Sequence, residues 1–368
     1  MASYDYLVVG SGITGATLAY LLKQKGKKVL VLEKRAEVGG NVATRVEDGV
    51  IIHSYGPHIF HTSSKEAWDF LNAHSTVDPF INTPLAFYKG KYYNMPFNMN
   101  TFHQLFGVNT AEEAKSCIDA EVALEGIKEP KNLEEQALAL VGRTIYETLV
   151  KGYTEKQWGR KATELPASII KRLPLRFEYN NNYFNDIFQG EVRGGFSRFI
   201  ENLLEGIEVR LGVDYLQDKD KYDAMAEHVI FTGRIDELFG FSLGHLEWRS
   251  LRFESEWKDV DSFQPVAVVN YTDREPAYTR ITEHKKFDAF CENHRKTYIT
   301  YEYPDAFEEG KIPYYTVNDE RNAKLAEAYK ALAEKNPKII LAGRLATYRY
   351  LDMDDALVEA FRLFETLE

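Results

Sequence analysis

The sequence predicts an α/β fold in which one discontinuous α/β domain is interrupted by a helical insert and by an insert forming an antiparallel β-sheet. Three patterns carry the prediction. The stretch "YLVVGSGITGATLAYLLKQKGKKVLVLEK" reads as strand, glycine turn, helix and strand. Leu133, Ala137, Leu140, Val141, Ile145 and Leu149 recur near a helical period within Leu133 to Val150. Short Tyr-, Thr- and Val-rich runs, "AVVNYTD" and "RKTYITYEYP", are bounded by proline and charged turns, as strands of a hairpin-rich sheet would be.

Composition bounds what such a fold can do. With 368 residues, 44% hydrophobic and 27% charged, the chain can bury a large core in two or three domains. Met-Ala-Ser-Tyr-Asp leads straight into an apolar strand and no run approaches ~18 apolar residues, so the expectation is a cytoplasmic protein that neither spans nor binds a membrane. Cys117 and Cys291 stand alone, which argues against a dithiol redox centre and a thiolate metal site. A formal charge of −11 would repel nucleic acid, so an anionic ligand must be held by a few locally placed arginines. The 23 Tyr and 22 Phe serve the core first, although Tyr also suits sites that stack rings and hydrogen-bond sugars.

The first strand runs through Val9 and is followed by Gly10, Gly12 and Gly15 in G-x-G-x-x-G spacing. The first glycine makes a tight turn, the second lets backbone approach a pyrophosphate, and the third lets helix pack on strand. Ala16, Leu18, Ala19, Leu21 and Leu22 form the apolar part of the helix, whose N-terminus faces the phosphates. The second strand, Val29 to Leu32, ends at Glu33, placed to accept both ribose hydroxyls of an adenosine. This is a Rossmann-like unit for a dinucleotide. Gly39, Gly40 and Asn41, in "EKRAEVGGNVAT", add a second close backbone approach that an extended FAD uses and NAD does not require. "HVIFTGRID" with Thr232 and Gly233, and the C-terminal "AGRLATYRYLDMDDAL", complete a similarity to two-dinucleotide-binding-domain flavoproteins, a class that includes amine oxidases. The last helix then returns to the first domain with its N-terminus toward the flavin.

Other segments go beyond that class. "SYGPHIFHTSS", "KGYTEKQWGRKATELP", "KRLPLRFEYNNNYFND", "TRITEHKKF", "IPYYTVND" and "GRLATYRYLDMD" occur in this order. Together they resemble the UDP-galactopyranose mutase family of the shorter, prokaryotic type, across essentially the whole chain. The expected architecture is a Rossmann-like FAD-binding domain over 1–80, 188–240 and 318–368, a helical insert over 98–165, and a sheet substrate domain over 80–97, 172–186 and 240–317. The three asparagines at 180–182 read as a loop.

The resemblance implies roles residue by residue. FAD contacts carry over onto Gly10, Gly12, Ile13, Thr14 and Gly15, then Glu33 and Lys34, Gly40 and Asn41, and His58 and Ile59. At the C-terminal end they fall on Gly343 and Arg344 and on Tyr350, Asp352 and Met353. Arg344 matches an arginine near the flavin ring, where positive charge favours an anionic reduced flavin. His53, His58 and His61 lie close enough to suggest a metal, but the Gly-Pro between them breaks a helix and no acid or cysteine completes a ligand set. They read as core or loop histidines, and by the resemblance His61 borders the flavin without an assigned proton transfer.

Arg172 and Arg280 match the family's diphosphate-binding pair, one on a mobile loop and one on the sheet, and with His61 are the candidate catalytic residues. Tyr153 and Trp158 match positions that bind the uridine; Tyr183, Tyr315 and Tyr350 match tyrosines that hydrogen-bond the diphosphate. Of the adjacent Tyr314 and Tyr315, a strand points one inward, and spacing favours Tyr315. Core packing is the plain alternative for each ring. Asn82 matches a pocket amide, and Asp352 is read as a helix N-cap whose carboxylate also lies near the diphosphate tyrosine or the ribityl chain.

The implied reaction interconverts UDP-galactopyranose and UDP-galactofuranose. N5 of reduced FAD attacks the anomeric carbon and expels UDP, the sugar recloses through a different hydroxyl, and UDP returns, so no net electrons move. The implied partners are UDP-galactose and an external reductant, in a homodimer or higher homo-oligomer. An amine-oxidase-like oxidoreductase and a non-catalytic flavin or nucleotide-sugar sensor are the other readings; acceptor-dependent turnover marks the first, and isomer interconversion eliminates the second.

Overall fold

The computed structural model describes residues 3–170, 173–288, 291 and 295–367. The chain divides into two units, one of Met1–Phe80, Asp186–Ser250 and Ala306–Glu368, the other of Ile81–Asn185 and Leu251–Asp305.

The first unit is built on a five-stranded sheet. Its order is Glu208–Leu211, Val29–Glu33, Tyr4–Val9, Ala226–Phe231 and Ile339–Leu341, every pair parallel. Such strands are buried on both faces and therefore read as apolar runs: Leu7, Val8, Leu30 and Val31 are fully buried. On one face the helices Ile13–Gln24, Phe196–Leu204 and Met353–Phe364 share a core of Leu18, Leu22, Phe199, Leu203 and Leu357. Tyr215, Tyr222 and Leu238 fill the other. A three-stranded antiparallel sheet, Phe60–Thr62, Phe188–Val192 and Val77–Pro79, belongs to the same unit.

The second unit joins helices to a sheet. Its strands lie in the order Trp248–Lys258 (from Leu251 onward in this unit), Thr297–Ala306, Arg280–Glu283, Val268–Tyr271, Leu85–Tyr88 and Lys91–Asn94. Val268–Tyr271 pairs parallel with Leu85–Tyr88, a departure from the expected antiparallel ladder. These two strands come from distant chain segments, so no short turn imposes the antiparallel sense. The helical and sheet inserts, read as separate domains, fall in this one unit, because Ala86 and Tyr93 of the hairpin are buried in the same cluster as Phe102, Leu133, Val141 and Tyr146 of the helical segment.

The periodic stretch from Leu133 is not one regular helix. It runs Leu133–Ile145, winds as a π-type turn over Tyr146–Val150 and continues as Lys151–Trp158. Gly142 interrupts it with φ 74° and ψ 177°, where a side chain would meet Glu121 Cβ at 2.6 Å. Glu121, from the helix Ala111–Glu125, accepts from Thr144 N at 2.8 Å and from Thr144 Oγ1, so it caps the restarted segment. The asparagine loop is held down as well: Asn98 Nδ2 donates to Asn180 O at 2.6 Å and Asn181 Oδ1 at 2.8 Å. No helix among the described residues is long and apolar enough to cross a membrane.

Candidate functional site

In the first unit, three glycine contacts shape a backbone cradle. At Gly10, φ is 103° and a Cβ would lie 2.1 Å from Thr232 Oγ1, which itself donates to Val9 O at 2.7 Å. Gly12 forms a bridge with Gly39, and a Cβ on Gly40 would come 3.0 Å from Gly12 Cα. Gly343, with φ 78°, approaches the Thr14 side chain to 3.3 Å from where its Cβ would stand. The turn that starts the chain, the second glycine cluster and the C-terminal turn thus meet around the start of the helix Ile13–Gln24, whose free N–H groups favour an anion.

Glu33 is buried and held in place. Its Oε2 accepts from Ser11 N at 2.9 Å and Ser11 Oγ at 2.7 Å, and its Oε1 accepts from Arg35 N at 2.8 Å. Arg35 donates to Asn41 Oδ1 at 2.8 Å and stacks on Tyr55, while its Nη1 is buried without a partner. Close glycines, an oriented acid beside them and an orphaned buried donor fit a bound dinucleotide. Lys34 turns to Asp214 at 2.9 Å, with its side chain 65% exposed. His58 N donates to His53 Nδ1 at 3.2 Å, Ile59 is buried, and His61 Nδ1 lies 2.7 Å from Asp186 Oδ2, whose other oxygen accepts from Ser63 Oγ at 2.7 Å.

The C-terminal segment brings Arg344, Tyr315 and Tyr350 together. Tyr315 lies in the short strand Tyr315–Thr316, paired with Trp248 and Arg249. Its ring stacks on Tyr350 with centroids 6.2 Å apart, while Tyr314 is buried. The Arg344 guanidinium lies 4.9 Å from the Tyr350 ring centre and donates to Tyr314 O. Asp352 is the N-cap of the helix Met353–Phe364, and its N–H donates to Asp355 Oδ2 at 3.4 Å.

In the second unit, Arg280 is the centre of a polar cluster. Its Nη2 donates to Tyr153 Oη at 3.4 Å and its Nε to Asn270 Oδ1 at 3.2 Å; its Nη1 stands 3.5 Å from the buried Glu302 carboxylate. Burial raises the Tyr153 phenol above its usual range, against the lowering effect of Arg280, so it stays a neutral hydroxyl. Trp158 ends the same helix, packed against the helical core. Asn82 is buried, and its carbonyl accepts from Tyr183 N at 2.9 Å; Arg176 donates to Asn182 O and, at 3.0 Å, to Tyr183 O. Tyr183 itself is 40% exposed. Arg172 lies outside the described residues.

Sequence reading overlooked Asn270, Glu302, Arg176 and Asp186. Asp186 acts on His61, 125 residues away, and Asn270 and Glu302 lie in runs read only as strands. Among the described residues no three His, Cys, Asp or Glu side chains gather as a metal site would need. Cys291 is buried, and desolvation followed by Asp288 pushes its thiol up to about 11, which suppresses the reactive thiolate.

Residues 148–350 match the family model described as UDP-galactopyranose mutase, and residues 8–73 that of an NAD(P)-binding Rossmann-like domain. The chain belongs to the UDP-galactopyranose mutase family. It is 38% identical over 367 residues to the probable UDP-galactopyranose mutase of Klebsiella pneumoniae, covering 98% of this chain and 94% of that one. It is also 37% identical over 365 residues to the dTDP-fucopyranose mutase of Escherichia coli, covering 96% of each. The fold matches the crystal structure of a reduced UDP-galactopyranose mutase with a TM-score of 0.74 at 13% identity, over 98% of this chain and 95% of that one. Members of the UDP-galactopyranose mutase family are flavin-dependent isomerases.

Proposed function

We propose that the chain interconverts UDP-galactopyranose and UDP-galactofuranose with reduced FAD as its cofactor. The observation that carries this reading is the Arg280 cluster: a guanidinium set beside a neutral tyrosine hydroxyl and anchored by Asn270 and buried Glu302. Such anchors fix the orientation of a planar group whose in-plane N–H donors suit the oxygens of a diphosphate.

When bound and reduced, the flavin supplies through N5 the nucleophile that takes the sugar from UDP. The protein's part is to hold both partners. Gly12 leaves room for the pyrophosphate of FAD, Gly10 and Gly40 let the turns beside it pack closely, and the Glu33 carboxylate, oriented by Ser11, accepts from the adenosine ribose. Arg172 and Arg280 hold the substrate diphosphate as leaving group and as returning nucleophile, with Tyr183, Tyr315 and Tyr350 donating hydroxyls to it. Tyr153 and Trp158 take the uridine, and Asn82 contacts sugar or phosphate. Arg344 places positive charge near the flavin ring and favours its reduced, anionic form.

The test is to release the cofactor by heat and identify it as FAD, then reduce the protein once without oxygen and supply excess UDP-galactofuranose. UDP-galactopyranose should form over many turnovers while the flavin stays reduced, and oxidised enzyme should be inactive. Equal rates from oxidised enzyme, or one flavin reoxidised per product, would overturn the nucleophilic role of the reduced cofactor. The second reading is a dTDP-linked 6-deoxy sugar, favoured by the 37% identity to the dTDP-fucopyranose mutase. Offering dTDP-fucofuranose in the same assay separates the two by the ratio of kcat/KM values.

A further inference from the structure

Lys156 lies within the Lys-x-Tyr-Thr-x-Lys-Gln-Trp-Gly segment but has no place in the roles described so far. Its Nζ donates to the carbonyl oxygens of Tyr271 at 2.8 Å, Pro276 at 3.0 Å and Tyr278 at 2.8 Å. An ammonium carries three donors, and these three acceptors take all of them. Tyr271 ends the strand Val268–Tyr271, and Pro276 and Tyr278 lie in the loop that leads from it into the strand Arg280–Glu283. The helix that bears Lys156, Lys151–Trp158, also bears Tyr153 and ends at Trp158. Helix and loop fit closely elsewhere too: a Cβ on Gly152 would stand 2.2 Å from Thr272 O, and Arg274 pairs with Glu155 at 2.8 Å. Past the tie, Arg280 reaches back to Tyr153.

We propose that Lys156 is a positioning residue for nucleotide-diphosphate binding, tying the loop that leads into Arg280 to the helix that presents Tyr153 and Trp158. The inference rests on the nucleotide-sugar reading of those three residues. Burial draws the Lys156 ammonium down to about 8, while Asp273 and Glu275 act the other way, so the charge persists at neutral pH. Without it three carbonyls lose their donor together, and the loop must open to water or move. Arg280 would then stand at a variable distance from Tyr153.

The test uses Lys156→Met and Lys156→Gln in the full, flavin-loaded chain. UDP is titrated by tryptophan fluorescence, and KM and kcat are measured on UDP-galactofuranose with reduced enzyme. In Lys156→Met the UDP dissociation constant and KM should both rise about tenfold or more, with kcat and flavin content within about twofold of wild type. Lys156→Gln, which keeps two donors, should fall in between. A flavin-bearing Lys156→Met that binds UDP within about twofold of wild type overturns the proposal. If Lys156→Met does not accumulate as folded flavoprotein, Lys156→Gln decides by the same measurements, a rise of about threefold or more supporting the tie and a smaller one overturning it. A wild-type chain that binds neither UDP nor dTDP overturns the nucleotide-sugar reading itself, and this assignment with it.

Discussion

Tyr315 and Tyr350 stack with ring centroids 6.2 Å apart and planes at 21°, although the helix Glu320–Ala333 and the strand Ile339–Leu341 separate them in the chain. Arg344 sits over the Tyr350 face of the pair. The stack holds two phenols in one place.

Tyr315→Phe and Tyr350→Phe should therefore keep the stack and lose only a hydrogen bond each. UDP affinity should fall by roughly 0.5–1.5 kcal/mol, or about two- to twelvefold, per hydroxyl. Isothermal titration with UDP measures it, and unchanged affinity in both variants removes the hydroxyls from the diphosphate site.

Arg280→Ala should lower kcat/KM by about 30- to 1000-fold, or ~2–4 kcal/mol, while flavin stays bound. It should also lower the melting temperature, because Glu302 would keep a buried charge without its cation. Adding Glu302→Gln should recover part of the melting temperature and none of the activity. Near-normal turnover in Arg280→Ala sinks the diphosphate role.

Two glycines of the first turn should respond differently to alanine. A Cβ at Gly15 would lie 2.1 Å from the Gly10 carbonyl oxygen, so Gly15→Ala should disrupt helix-on-strand packing and folding. A Cβ at Gly12 meets only Gly40 Cα at 3.9 Å, and its backbone suits alanine. Gly12→Ala should fold but lose flavin, read as a native circular dichroism spectrum with no visible absorbance. Full flavin retention would place the pyrophosphate elsewhere.

Glu191 should make stability fall as pH rises. It is buried in the strand Phe188–Val192 with one carboxylate oxygen unpartnered, and desolvation raises its pKa well above the usual carboxylate range. A raised folded-state pKa means that the group's stabilisation is complete below the unfolded pKa and is lost as pH climbs through the folded one. Glu191→Gln should thus match wild type in melting temperature near pH 4 and exceed it increasingly toward pH 8. A gap independent of pH would show that Glu191 titrates normally.

Elements whose causes are local were legible in the order of residues alone. Gly10, Gly12 and Gly15 between an apolar run and Glu33 dictate strand, turn, helix and strand, because the turn's geometry and the helix's period depend on neighbours a few residues apart. Strand alternation required only that Tyr314 and Tyr315 face opposite ways, and Tyr314 is the buried one. Tertiary structure decided whatever needed a distant partner. A helical period cannot show that Glu121 will cap Thr144 and allow Gly142 to break the helix. Nothing near Arg280 announces Asn270, Glu302 or the Lys156 tie behind its loop. A hydrogen bond or buried charge is settled by the groups that surround it once the core has closed, and the order of residues along the chain does not record that company.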